Sequence, residues 1–121
     1  MKILVVDDSK AMRMIVTRTL RQAGFGGHDI LEACDGREGL ARVAQDAPDL
    51  VLSDWNMPEL SGIEFLRALR AQGNDVRFGF VTSESTDAMR QTADETGALF
   101  LIGKPFTADT FAEALSGVLV S

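Results

Sequence analysis

Hydrophobic positions along the chain follow two alternating patterns. Short runs of consecutive aliphatic residues, such as ILVV at 3–6, are typical of strands buried on both faces. Segments in which apolar residues recur every three or four positions, as in 12–23, are typical of amphipathic helices. The predicted strands are residues 3–6, 29–33, 50–54, 76–81 and 98–102, and the apolar faces of the predicted helices lie within 12–23, 39–44, 65–69, 87–96 and 111–118.

The alternation of five strands with five helices predicts an α/β fold. Strands separated by helices run parallel, helices cover both faces of the sheet, and the connections are right-handed. Residues typical of helix ends lie at the predicted boundaries. Gly24 ends the first helix as a C-cap, Pro48 follows the second, and Ser61 caps the third. We therefore expect one doubly wound (βα)5 domain over residues 1–121.

Length, charge and cysteine content limit the classes of function that the chain could have. A chain of 121 residues makes one domain of ordinary size. The net charge of −6, from 18 acidic against 12 basic residues, disfavours a nucleic-acid partner. A single cysteine and a single histidine, Cys34 and His28, exclude an intrachain disulfide and disfavour a Cys- or His-rich metal site. We find neither a signal peptide nor an apolar run near the roughly 20 residues of a membrane span, so we expect a cytoplasmic protein without a membrane partner.

Polar residues follow four of the five predicted strands. Asp7 and Asp8 come after the first strand, Asp54 ends the third, Thr82 follows the fourth and Lys104 follows the fifth. Open α/β sheets bind ligands at the carboxyl ends of their strands. Taken alone, Asp7 and Asp8 would be better explained as caps of the next helix, since acids favour a helix N-terminus. Together, the five side chains indicate one site.

The chemistry of these residues is that of a cation and a phosphoryl group. Three aspartates in one crevice repel one another unless a cation lies between them, and Mg²⁺ prefers such oxygen ligands. Lys104 adds a compact positive charge and Thr82 a hydroxyl donor. A carboxylate nucleophile, a divalent ion, an ammonium and a hydroxyl are together typical of aspartyl-phosphate formation.

Four segments of the sequence resemble the receiver domains of two-component response regulators. They are VVDDS at 5–9, SDWNMP at 53–58, VTSE at 81–84 and KPFT at 104–107. The resemblance runs the whole length of the chain and is greatest to regulators of the chemotaxis type that stand alone. It implies a flavodoxin-like sheet with strand order 2-1-3-4-5, in which the order reverses between strands one and three.

The resemblance also implies roles for individual residues. Asp54 would be the phosphoacceptor, Thr82 would hydrogen-bond the phosphoryl group, and Lys104 would pair with it. Mg²⁺ would be held by Asp8, by Asp7 directly or through water, by Asp54, and by the backbone carbonyl of Asn56. Lys104 would precede a cis peptide bond to Pro105, Ser83 would leave access to the phosphate, and Asn56 and Glu84 would flank the site.

The sequence departs from the family at the position of its aromatic switch. That position lies three residues before the lysine and is Leu101 here. Phe100 is adjacent, but side chains alternate across a strand, so we expect it on the opposite face. Gly103 stands where an apolar residue is usual. We therefore expect a muted version of the conformational change that the ring carries in the family.

The partners implied are a sensor histidine kinase and either a downstream protein target, such as the flagellar motor switch, or a histidine phosphotransfer protein. The family's kinase-docking surface includes the first helix, which here carries Arg13, Arg18 and Arg21. Such a protein catalyses only its own phosphorylation and dephosphorylation. Three alternatives stay open: a phosphate shuttle or sink, a receiver-like interaction domain that is not phosphorylated, and a Mg²⁺-dependent phosphohydrolase. The last class usually carries Asp-x-Asp on strand one, whereas the acids here are adjacent.

For three further residues we predict the degree of burial and assign no chemical role. We expect Cys34 to be a small buried hydrophobe at a strand end. We expect His28 to be solvated in the loop before the second strand, and Trp55 to lie half-exposed beside Asp54.

Overall fold

Strands and helices alternate five times in the computed structural model, which describes residues 1–118 of the chain. The strands are β1 (Lys2–Val6), β2 (Asp29–Ala33), β3 (Leu50–Ser53), β4 (Arg77–Thr82) and β5 (Phe100–Gly103). The helices are α1 (Lys10–Leu20), α2 (Gly36–Asp46), α3 (Gly62–Ala71), α4 (Asp87–Thr96) and α5 (Ala108–Leu115). Every strand and helix expected from the hydrophobic pattern is present.

The five strands form one parallel sheet in the order β2-β1-β3-β4-β5. This confirms the predicted fold and the reversal of strand order between β1 and β3. Val6 lies opposite both Ala33 on β2 and Ser53 on β3, so these strands end at the same level. Residues that directly follow β1 and β3 are therefore neighbours at the carboxyl edge of the sheet.

Two hydrophobic clusters cover the two faces of the sheet, because side chains alternate along each strand. Leu4 and Val6 pack with residues of α2, α3 and α4, whereas Ile3 and Val5 pack with residues of α1 and α5. Phenylalanines dominate the first cluster, where Phe65, Phe78 and Phe80 are fully buried. The two layers hold the sheet rigidly, which fixes the positions of the residues at its carboxyl edge.

The ends of the helices follow the expected local chemistry, with one difference. Ser61 caps α3, and its hydroxyl and backbone amide exchange hydrogen bonds with Glu64. α1 itself ends at Leu20, and a wider π-type turn over Arg21–Phe25 continues it; the helical backbone is interrupted at Gly24, where the sequence predicts the C-cap. Gly24 lies inside that turn with a φ of 99°, a conformation that glycine adopts without a Cβ clash.

Two strands begin later than the hydrophobic pattern predicts. The amide of Ala98 donates to the carbonyl of Ala93 at 2.9 Å and so belongs to the end of α4. The amide of Val76 donates to the Asn74 side chain at 2.9 Å in the turn after α3. Ala98 therefore belongs to the end of a helix and Val76 to a turn, so β4 starts at Arg77 and β5 at Phe100.

In the part of the chain that the structure describes, we find no helix with the length and apolar character needed to cross a bilayer.

Candidate functional site

Asp7 and Asp54 extend the hydrogen bonding of the sheet by one residue. The Asp7 amide donates to the carbonyl of Ala33 at 3.1 Å, and the Asp54 amide donates to the carbonyl of Val6 at 2.9 Å. Because β1 and β3 are adjacent, this ladder brings both aspartates to one place at the carboxyl edge. The reversal of strand order leaves the crevice above them open, since the loops on either side turn apart.

Three carboxylates meet in this crevice, as the sequence predicts. One oxygen from each of Asp7, Asp8 and Asp54 lies within 4.8 Å of the others. Their exposure differs: Asp7 is only 4% exposed, Asp54 is half-buried, and Asp8 is open to solvent. The crevice therefore has a protected floor and an accessible mouth.

Lys104 bridges two of the three acids. Its Nζ lies 3.2 Å from Asp7 Oδ2 and 3.4 Å from Asp54 Oδ2. The Lys104 amide donates to the Thr82 carbonyl at 2.8 Å, which ties the end of β5 to that of β4. The Lys104–Pro105 peptide bond is cis, as the family resemblance implies. A residue 50 positions after Asp54 is thus brought to the same crevice.

Burial and charge act on Asp54 in opposite directions. Burial raises the pKa of the Asp54 carboxyl, and the neighbouring charge of Asp7 raises it further. The Lys104 ammonium and the Trp55 amide, which donates to Asp54 Oδ1 at 2.7 Å, lower the pKa. Burial is the larger effect, so the pKa of Asp54 lies above its ordinary value. A group that neutralises the acids would relieve that cost.

Ser9, rather than either aspartate, caps α1. The Ser9 hydroxyl accepts a hydrogen bond from the Met12 amide at 3.2 Å. The Ser9 amide donates to Asp7 Oδ1 at 2.9 Å, so Asp7 shapes the turn that precedes the helix. The alternative that Asp7 and Asp8 serve as helix caps is therefore wrong.

Thr82 lies fully buried at the end of β4, the strand next to β3. Its hydroxyl oxygen accepts a hydrogen bond from the Glu84 amide at 3.4 Å. Glu84 and Ser83 are exposed in the loop that follows. The structure thus places a hydroxyl at the end of the strand next to β3, which Asp54 follows, with a loop behind the hydroxyl that leads directly into α4.

The loop after β3 leads into a glycine, the first residue of α3, whose importance the sequence analysis missed. The Gly62 amide donates to the Trp55 carbonyl at 2.7 Å, and a Cβ at Gly62 would overlap the carbonyl oxygen of Asp54. The loop therefore folds back on Asp54 only if residue 62 lacks a side chain. Asn56, whose carbonyl the resemblance implies as a ligand, is exposed in the same loop. A glycine directly after a helix cap was the available signal.

Three residues with no assigned chemistry differ in how well they were predicted. Trp55 is half-buried beside Asp54, as expected, with its ring 4.7 Å from that of Phe80. Cys34 was expected to be buried and is exposed, because it follows the last residue of the edge strand β2; its Sγ lies 3.3 Å from Glu38 Oε2. His28 was expected to be solvated but is half-buried, stacked at 6.1 Å on Phe25.

Leu101 and Phe100 point to opposite faces of β5, as the period of a strand predicts. Leu101 is half-buried against the cluster that includes Phe80, whereas Phe100 packs on the other face. The ring of Phe100 fills the space above Gly79 that a side chain on β4 would need. Phe100, the one aromatic residue of β5, therefore packs on the sheet face opposite to α4.

Comparison with known sequences gives consistent matches. The family model for the response regulator receiver domain matches residues 3–116. A probable chemotaxis protein CheY from Rhizobium etli is 35% identical over 97% of this chain and 91% of that protein. Chemotaxis protein CheY1 from Helicobacter pylori is 38% identical over 98% of this chain and 97% of that protein.

Comparison with solved structures agrees. The chemotaxis protein CheY4 of Vibrio cholerae, crystallised at low pH, superimposes with a TM-score of 0.85 at 36% identity, covering 98% of both chains. The receiver domain of a Francisella response regulator superimposes with a TM-score of 0.86 at 26% identity, covering 97% of this chain and 94% of that one. The fold, the acidic crevice and these matches together show that the chain belongs to the response regulator receiver domain family and is homologous to the CheY chemotaxis response regulators.

Proposed function

We propose that Asp54 accepts a phosphoryl group from the phosphohistidine of a sensor histidine kinase, in a Mg²⁺-dependent reaction. One observation carries this proposal: Asp54 lies in the three-aspartate crevice with Lys104 Nζ 3.4 Å from its carboxylate. Lys104 contacts Asp7 as well, but the Asp7 side chain is 6% exposed against 12% for Asp54. Of the two acids next to the lysine, Asp54 is the one a phosphodonor reaches more easily.

The donor set of the crevice fits a hard divalent cation. Three carboxylates and one ammonium leave two negative charges uncompensated. Asp8, Asp54, Asp7 and the backbone carbonyl of Asn56 would hold Mg²⁺, all through oxygen atoms. When bound, the ion supplies charge neutralisation for the acids and for the oxygens of an incoming phosphoryl group.

The residues of the chain have distinct roles in the proposed transfer. An Asp54 carboxylate oxygen attacks phosphorus, the P–N bond to the imidazole breaks, and the imidazole leaves with the electron pair. The Lys104 ammonium pairs with a phosphoryl oxygen, and the Thr82 hydroxyl donates to another. Water later cleaves the acyl phosphate, with Asn56 and Glu84 flanking its approach. The protein thus catalyses its own phosphorylation and dephosphorylation and turns over no separate substrate.

Output would leave the domain through protein contacts. Two relatives of this chain are chemotaxis proteins by name, which supports a role in chemotaxis or motility. The proposed partners are a sensor histidine kinase and a downstream protein target such as the flagellar motor switch. The proposed location is the cytoplasm, where both kinds of partner meet a protein of this class.

Phosphorylation with a small-molecule donor tests the proposal without knowledge of the kinase. With acetyl phosphate and Mg²⁺, the intact protein should gain one phosphoryl mass, and peptide mapping should place it on Asp54. The Asp54→Asn variant should keep its fold and lose the label, whereas Asp75→Asn, an exposed acid before β4, should label normally. Full labelling of Asp54→Asn at another residue would refute the assignment.

A second candidate function, a phosphate shuttle or sink, is favoured by the absence of a ring at Leu101. Leu101 is half-buried on the α4 side, and the ring of Phe100 is held on the other face above Gly79. A domain that accepts phosphate without rearranging its α4–β5 surface would pass the group to a histidine phosphotransfer protein or release it to water. The extent of the conformational response, discussed below, distinguishes this function from direct output.

A further inference from the structure

Arg13 connects three segments next to the acidic crevice. Its Nη1 donates to the backbone carbonyl of Asp7 at 2.6 Å, and its Nε donates to Glu32 Oε1 at 2.9 Å. The Arg13 side chain is only 14% exposed, although it belongs to a surface helix. One planar guanidinium therefore joins α1, the end of β1 and the edge strand β2.

Local structure explains how Arg13 reaches both partners. It lies in the first turn of α1, where its amide donates to the carbonyl of Ser9, and helical side chains lean towards the N-terminus. Glu32 lies opposite Val5 on β2, on the sheet face that α1 covers. The fork of a guanidinium spans two acceptors at fixed angles, which an ammonium does not.

The carbonyl that Arg13 holds belongs to the peptide bond between Asp7 and Asp8. Rotation of that peptide plane would move both carboxylates, since each is attached to one of its two flanking residues. Asp7 has further restraints, from the Ser9 amide and from Lys104. The Asp8 side chain is exposed, so its direction depends mainly on the backbone that carries it.

We propose that Arg13 is a positioning residue that holds the Asp7–Asp8 peptide so that Asp8 faces the cation position beside Asp54. This inference rests on the proposed function, because it assigns to Arg13 a role in the proposed Mg²⁺ site. Arg13 touches no reacting atom and acts through the backbone of Asp7. Its link to Glu32 fixes the guanidinium, and the guanidinium fixes the peptide.

The direction in which Mg²⁺ affinity changes when Arg13 is removed distinguishes a positioning role from a purely electrostatic one. A positive group beside a cation site repels the ion, so removing it should strengthen Mg²⁺ binding if charge were all that mattered. Loss of a residue that orients a ligand should instead weaken binding, by the 10- to 100-fold typical of such groups. The two explanations therefore predict opposite changes in Kd.

The test uses Mg²⁺ alone as the probe and needs no phosphodonor. Trp55, the single tryptophan, adjoins Asp54 and reports ion binding by its fluorescence, with calorimetry as a second readout. The variants are Arg13→Ala and Arg13→Met, the latter keeping the apolar packing of the stem. Arg42→Ala is the matched control, because Arg42 on α2 also contacts β2, through the Glu32 carbonyl at 3.4 Å, without reaching Asp7.

We expect both Arg13 variants to raise the Kd for Mg²⁺ about tenfold while Arg42→Ala leaves it unchanged. Phosphorylation by acetyl phosphate should then need more Mg²⁺ and reach a similar maximum rate. An unchanged or lowered Kd in the Arg13 variants would overturn the inference, as would an equal rise in Arg42→Ala. If the wild-type protein binds no Mg²⁺ and takes no label, the proposed function itself fails, which is a distinct result.

Discussion

Lys104 is the residue on which the charge balance of the crevice depends in the structure described. It is largely buried and lies within 3.4 Å of two carboxylates, so its own charge is compensated and it compensates theirs. Removing one partner of a buried ion pair leaves the other uncompensated, which is why such groups are coupled. The chemistry of Asp54 therefore follows from neighbours that lie far away in sequence.

The raised pKa of Asp54 predicts a pH dependence of stability in the metal-free protein. Below the ordinary aspartate pKa, both the folded and the unfolded states are protonated at this residue. As the pH rises, the unfolded state ionises first, so the free energy of unfolding falls until the pH passes the raised pKa of the folded state. Asp54→Asn removes this contribution, so its advantage in stability over the wild-type protein should grow as the pH rises above the ordinary aspartate pKa of about 4, until the raised pKa of the folded state is passed.

Urea unfolding at a series of pH values in the presence of a chelator measures this difference. Asp75→Asn, which changes an exposed acid outside the crevice, controls for the general effect of a lost charge. If the stabilities of the wild-type protein and Asp54→Asn ran parallel across the pH range, burial of Asp54 would not carry the cost assigned to it.

Exposure of single residues proved harder to predict than their secondary structure. Cys34 follows the last residue of an edge strand, where the chain turns away from the core. His28 precedes the same strand, and the turn over Arg21–Phe25 brings Phe25 against its ring. Neither outcome is visible in local composition, because both depend on where the edge of the sheet lies.

At the scale of elements, the α3 helix illustrates how a local motif supports the site. Its cap, Ser61, directly precedes Gly62, the residue that allows close approach to the Asp54 carbonyl. The hydrogen bonds from Ser61 also lower the pKa of the exposed Glu64 carboxyl. The start of this helix and the loop that carries Asn56 are therefore one structural unit.

Replacement of Ser61 by alanine should destabilise the protein by about 1 kcal/mol, the usual cost of losing an N-cap. The lowered pKa of Glu64 comes mainly from the Ser61 backbone amide, which alanine keeps, and in smaller part from the Ser61 side chain, which is lost. Stability from a lowered pKa is present above the ordinary glutamate pKa and is lost as the pH falls, so the penalty should be slightly smaller in acid. Chemical denaturation at neutral and acidic pH measures both effects. Ser116→Ala, which changes a serine at the C-terminal end of α5, should cost less. An equal cost would contradict the role of the capping box at Ser61.

Under the proposed function, the segment from Thr82 to β5 would communicate phosphorylation to the surface of the domain. A phosphoryl group adds about −1.5 to −2 charges at the proposed phosphoacceptor Asp54, and the Thr82 hydroxyl is proposed to move towards it. Its hydroxyl accepts from the Glu84 amide, so that movement would shift the loop leading into α4. Leu101, half-buried on this side, has no ring to follow the hydroxyl inward.

We expect a muted response to beryllofluoride, an analogue of the phosphoryl group. Amide chemical-shift changes should be large around Asp54 and in the loop of residues 82–85, and small across α4 and β5. Leu101→Tyr should widen the shifted surface if the missing ring limits the response. Large changes across α4 and β5 in the wild-type protein would contradict this expectation and support direct output over the shuttle or sink. Leu99→Tyr, at an exposed position before β5, controls for the added ring.

At the scale of the whole molecule, the acidic crevice affects the stability of the fold. The chain is acidic overall, and three of its acids meet at one edge of the sheet. Repulsion among them lowers the stability of the metal-free protein, whereas a ligand that binds only the folded state raises it. Binding of the proposed Mg²⁺ ion would therefore be coupled to folding.

Asp8→Ala should stabilise the metal-free protein, by roughly 1 kcal/mol or less, since that is the interaction of two charges about 4 Å apart in water. The same variant should lose the rise in Tm that Mg²⁺ gives the wild-type protein. Thermal denaturation with and without Mg²⁺ measures both effects. A lower Tm without Mg²⁺ would mean that Asp8 stabilises the fold directly, which would contradict the repulsion described here.

The sequence by itself determined the succession of strands and helices, the cap of α3 at Ser61, and the position of each polar residue at the end of a strand. These features depend on contacts within a few residues, so the local pattern contains them. The tertiary structure decided which strand ends meet, that Lys104 bridges Asp7 and Asp54, and that Arg13 reaches the Asp7 carbonyl and Glu32. It also decided that Ser9 caps α1 and that residue 62 must be glycine. Such contacts join segments far apart in the chain or set the exact path of a loop, and they form only when hydrophobic packing on both faces has fixed the order and register of the sheet.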